Sequence, residues 1–112
     1  MPKSSPRTYS KHSQAAVALL GELIRAARIE RKIPAQELAD RIGISRGLLQ
    51  RIEKGDMKCE IGAAFEAADI LGVALFDADE RTLDNYARQA RARLALLPKA
   101  ARRPARKIDD EF

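Results

Sequence analysis

The chain has 112 residues, 46% of them hydrophobic, which is enough apolar material for one small core and too little length for a second domain of useful size. A formal net charge of +5 favours a polyanionic partner, while a single cysteine and a single histidine exclude an internal disulfide and a zinc site. No apolar run reaches the length of a bilayer span and MPKSSPRTYSKHS holds no apolar signal core, so a cytoplasmic protein with no membrane partner is expected.

Residues 1–12 carry two prolines, four serines or threonines and the cations Lys3, Arg7 and Lys11, with no apolar period, and read as a flexible basic arm. From Ser13 a helix is predicted, because Val17, Leu20, Ile24, Ala27 and Arg28 form one stripe that Ile33 and Pro34 end. Pro34 suits the approach to a second helix over residues 35–42, with Leu38 and Ile42 on one face. Gly43 can adopt the left-handed conformation that stops it, and Ser45 can cap a third helix running to Lys54 with Leu48, Leu49 and Ile52 on its apolar side. Ala39 then sits in the crotch between the two, where a larger side chain would force them apart.

Gly55 and Asp56 end the third helix, and Cys59 reads as an ordinary residue at the start of the next. Ile61, Ala64, Phe65, Ala68 and Leu71 mark that fourth helix, with Gly72 as its cap and Phe65 as the expected aromatic plug of the core. Residues 72–76 are the one stretch that could be extended. Asp77 and Glu80 are spaced as a capping box and open a fifth, amphipathic helix through Leu97, on which Leu83, Tyr86, Ala90, Leu94 and Leu97 share a stripe. Pro98 breaks it, and residues 98–112 pass from basic to acidic and read as a disordered tail. The expected fold class is all-α, with an arm (1–12), a helix-turn-helix domain (13–76), a C-terminal helix for dimer or partner contact (77–97) and a tail (98–112).

Leu38, Ala39, Ile42, Gly43, Ile44, Leu49 and Ile52 fall in one register with a short turn, the pattern of a DNA-binding helix-turn-helix. Over roughly residues 20 to 73, and most closely at GISRGLLQRIEKGD, the chain resembles the Xre or Cro/C1-type bacterial and phage repressors. The resemblance implies a lambda-repressor-like five-helix domain whose third helix enters the major groove, with Arg46, Gly47, Gln50 and Arg51 against base edges. An arginine fork on guanine O6 and N7 discriminates by roughly 1–3 kcal/mol, and Gln50 suits adenine or a phosphate. Gly47 sacrifices about 1 kcal/mol of helix propensity, tolerable where close approach to DNA is gained.

Gln36, Ser45, Lys54, Lys58, Arg7 and Lys11 are then the phosphate contacts. Where the family places a backbone-clamping glutamine at the start of the second helix, this chain has Ala35; Gln36 lies one residue on, about 100° around the helix. Arg28 and Glu53 match the positions of an ion pair that in the family bridges the first and third helices.

One recognition helix reads only a few base pairs, so a homodimer on a palindromic double-stranded operator is expected. The fifth helix serves either that contact or packing onto its own core. The segment LGVALFDADERTLDNYARQARARLALLPK, with the terminal IDDEF, looks like the HipB-type antitoxins encoded beside HipA-type serine/threonine kinase toxins. That likeness implies autorepression, restraint of the kinase, and docking of Asp109, Asp110, Glu111 and Phe112 in a basic, apolar pocket of it. The alternative is a stand-alone Xre-family repressor with no toxin partner. An enzyme is disfavoured, with no catalytic constellation, metal or cofactor expected, and so is an RNA reader, because stacking aromatics are few.

Overall fold

The structure, a computed structural model, describes residues 8–103. Among them the elements are five helices and no strand, the all-α fold expected: α1 Lys11–Glu30, α2 Ala35–Ile42, α3 Arg46–Glu53, α4 Ile61–Leu71 and α5 Glu80–Ala95. The chain divides after Asp77 into two units.

In the first unit, α3 and α4 each pack on both α1 and α2. Ile24, Leu38, Leu49 and Leu71, one from each helix, are the large side chains fully removed from solvent. Burying each of them stabilises the fold by roughly 1.5–3 kcal/mol relative to exposure. Ala39 is fully buried between α2 and α3, as the crotch demands.

The buried face of α4 differs from the expected stripe. It consists of Ala63, Ala64, Ala67, Ala68 and Leu71, whereas Ile61 is 69% exposed and Phe65 is only half-buried. Four alanines let the neighbouring helices approach the α4 backbone closely, and this small-residue face takes precedence over the bulkier one. Phe65 instead meets Phe76 edge to face, ring centroids 6.3 Å apart at 85°. It also lines a cavity of about 330 Å³ with Val17, Leu20, Met57 and Cys59.

Two local signals moved. The first helix begins at Lys11 rather than Ser13, because the Ser10 hydroxyl accepts the Ser13 amide at 3.1 Å and supplies the cap. Lys11 therefore stands on the first turn of α1 and not in an arm. Residues 72–76 form no regular strand: Leu75 makes an isolated bridge, and Gly72 and Phe76 on either side have positive φ, 75° and 56°.

In the second unit, α5 is capped by Asp79, whose carboxylate accepts the Thr82 amide at 2.8 Å. That bond holds the Asp79 carboxyl below the usual carboxylate range. Asp77, the expected cap, has φ 51°; a left-handed residue cannot take the extended conformation an N-cap requires. The helix ends at Ala95, two residues before the predicted Leu97, with Leu96 as its C-cap. None of its side chains is buried, and Tyr86, Leu94 and Leu97 are 49%, 66% and 52% exposed.

Gly21 sets how closely α1 and α3 approach. A Cβ added there would lie 2.4 Å from the Ile52 carbonyl oxygen and 2.8 Å from that of Glu53, both backbone atoms that cannot swing aside. Gly21→Ala should therefore destabilise the domain by about 1–3 kcal/mol through overpacking, read as a lower midpoint in denaturant; an unaltered midpoint would show that α3 does not rest on this face of α1.

Candidate nucleic-acid interface

The interface begins with what fixes α3. Gly43 takes the left-handed conformation at φ 84°, and the amides of Gly43 and Ile44 both donate to the Ala39 carbonyl, at 2.9 and 3.0 Å. Half-buried Ile44 pins the turn from below. Ser45 then opens α3 by accepting the Leu48 amide on its hydroxyl at 3.0 Å. Three residues thus reverse the chain, satisfy the helix ends and aim α3.

At the other end of α3, Glu53 is 7% exposed, the one charged side chain among the buried described residues. Its carboxylate accepts from Arg28 Nε at 2.7 Å and Nη2 at 3.0 Å, a two-point contact. Arg28 Nη1 donates to the Ile33 carbonyl at 2.9 Å, so a single guanidinium joins α1, α3 and the chain entering α2. The hydrogen bonds to Glu53 raise the Arg28 pKa above its ordinary value, with burial acting in the opposite direction. Arg25 Nε lies 3.9 Å from the same carboxylate, a weaker, exposed addition.

With Leu49, Ile52 and Glu53 turned inward, Arg46, Gly47, Gln50 and Arg51 are all exposed. Arg46 and Gln50 make no hydrogen bond through their side chains within the described residues. A Cβ placed on Gly47 would meet only the Ser45 hydroxyl, at 3.9 Å, so the fold itself does not call for glycine there. Lys54 and Lys58 are exposed beyond the end of α3. The Ser45 hydroxyl oxygen is taken up by its cap, and its proton remains to be donated.

Gln36 is exposed on α2 and donates to the Asp40 carboxylate at 2.9 Å, so a phosphate would compete with Asp40 for its amide. The N-cap of α2, Pro34, makes no side-chain cap bond, so no capping side chain takes up the first amides of α2, which like those of any helix lack an intrahelical partner. Arg7, Asp109, Asp110, Glu111 and Phe112 lie outside the described residues.

A partner of Arg51 was missed by the sequence reading. Its Nε donates to Asp56 Oδ2 at 2.8 Å, and Asp56 Oδ1 accepts the Lys58 amide at 2.8 Å. The Arg51 bond, followed by the Lys58 amide, holds the Asp56 carboxyl below the usual carboxylate range, and the carboxylate in turn raises Arg51. The signal in the sequence was the passage Arg51 to Asp56 across Gly55, whose φ of 78° folds the chain back on α3. Cys59, three residues on, lies in the loop before α4, and burial pushes its thiol up, away from the reactive thiolate.

A short capped turn, a fully buried crotch alanine and a basic helix turned outward define a helix-turn-helix DNA-binding domain. Among models of protein families, the one described as Helix-turn-helix matches residues 24–77, a segment that spans the last part of α1 and all of α2, α3 and α4. That segment is accordingly a helix-turn-helix domain, similar to those of DNA-binding regulators. No curated protein and no solved structure matches the chain.

Removing one partner of the Arg28 and Glu53 pair strands the other in a mostly buried site. Glu53→Ala is expected to cost about 3 kcal/mol of stability, seen as a clear drop in Tm, and an unchanged Tm would refute a structural role for the pair.

Proposed function

We propose that this protein is a sequence-specific repressor that binds a palindromic DNA operator as a homodimer, with α3 in the major groove. Arg46, Gly47, Gln50 and Arg51 meet base edges, and Ser45, Gln36, Lys54, Lys58, Lys11 and Arg7 contact phosphates. One observation carries this reading: Leu49, Ile52 and Glu53 hold α3 to the core while those four residues are exposed to solvent. Gly47 supports it further, because a position with open space around it keeps a residue that weakens its own helix. Two such helices, held by a symmetric dimer, cover two half-sites about one turn of DNA apart and supply the affinity that one cannot.

Footprinting on the promoter of the protein's own gene at several salt concentrations tests the reading. A protected palindrome is expected, with Arg46→Ala relaxing base preference more than it weakens bulk affinity. Uniform, steeply salt-dependent retardation without a footprint would replace specific repression by nonspecific binding.

The narrower reading is a HipB-type antitoxin that represses its own operon and restrains a HipA-type kinase. It draws on α5, which presents Tyr86 and Leu94 to solvent while burying none of its own side chains, with exposed Leu97 just past its end, and on the acidic, aromatic end IDDEF of the sequence. A stand-alone repressor with no kinase partner is the alternative. Deleting residues 108–112 should weaken binding to a kinase encoded beside the gene and leave operator affinity nearly intact; equal kinase binding by the truncated chain would remove the tail from the interaction.

A further inference from the structure

The engagement of Arg51 with Asp56 limits how that arginine can be used. A guanidinium has five N–H donors in one plane, and it can address a guanine either side-on, through Nε and one amino group, or end-on, through both amino groups. Here Nε is committed to Asp56 Oδ2 at 2.8 Å, and among the described residues no acceptor takes a hydrogen bond from Nη1 or Nη2. The other carboxylate oxygen is fastened to the Lys58 amide at 2.8 Å, which ties the group to the backbone of the loop after Gly55. Asp56 is thus a fixed post and Arg51 a fork leaning on it, the arginine side chain still 52% exposed.

We propose that Asp56 is a positioning residue for base recognition, orienting Arg51 so that its two terminal amino groups form an end-on fork for a guanine in the major groove. This rests on the assignment of α3 as the recognition helix. An exposed arginine loses rotamer freedom when it grips a base. One already held by a carboxylate has given up part of that freedom before the DNA arrives. The same carboxylate stands close to where a polyanion docks, so it weakens attraction to duplexes of any sequence. Asp56 therefore raises discrimination in two ways: it favours the matched base and disfavours everything else.

The test uses the full chain and a duplex selected by the protein from a random pool, together with every single-base variant of it. Asp56→Asn keeps an oxygen for the Lys58 amide and removes the charge. Its discrimination for guanine at one position of each half-site should fall about five- to tenfold, within the range a bidentate contact supplies. Binding to an unrelated duplex should hold or rise, and Tm should stay near that of the unaltered protein. In an Arg51→Ala background the same substitution should leave base preference untouched, since the effect runs through Arg51. A merely structural role would weaken all duplexes alike and lower Tm, which would overturn the proposal. So would tighter operator binding by Asp56→Asn with guanine preference intact, the behaviour of a latch that withholds Arg51 from DNA. If Arg51→Ala alone relaxes no position, the placing of Arg51 against a base fails, and the positioning role of Asp56 fails with it, while operator recognition through Arg46 and Gln50 would stand.

Discussion

The arrangement depends on one buried ion pair. Glu53 ends α3 inside the domain, and a carboxylate taken out of water costs several kcal/mol unless it is fully matched. Arg28 provides the match with two donors and sends a third to the Ile33 carbonyl. The pair gains little net stability over an apolar substitute, yet it tolerates only one arrangement of its neighbours. Rotating α3 by a single residue, about 100°, would carry Glu53 out of reach of Arg28 and leave two of the guanidinium's donor groups without the carboxylate that now accepts from them.

That constraint is what gives the outward face of α3 its definition. The helix has eight residues, too short to hold a conformation by its own propensity. It is held at its start by the Ser45 cap and the Gly43 turn, along its inner side by Leu49 and Ile52, and at its end by Glu53. The close passage of Gly21 against the Ile52 and Glu53 carbonyls sets the distance to α1. Anchored on three sides, α3 presents its remaining side to solvent in a fixed rotation, so that whatever meets it encounters the same side chains each time.

Where the sequence encodes structure through neighbours a few residues apart, it was legible. The bounds of α2, the left-handed Gly43 and the Ser45 cap all follow from residues within one turn of each other. The Arg28 and Glu53 pair spans twenty-five positions and was readable only through likeness to a known repressor pattern. The cap of α5 was misplaced from Asp79 to Asp77 because spacing alone does not show that Asp77 adopts a left-handed backbone. The buried side of α4 was misjudged because large residues attract attention in a periodicity, while packing there is decided by how near two backbones can come. The bond between Arg51 and Asp56 depends on the path the chain takes after Gly55, which a count of residues does not contain.

The vacant surroundings of Gly47 separate two properties that proteins often entangle. Nothing in the domain leans on that position, so substitutions there can accumulate without endangering folding, and each new side chain would alter what the third helix prefers to touch. A lineage built on this scaffold could drift toward new target sites by changing one residue, keeping the hinge, the cap and the buried charges as they are.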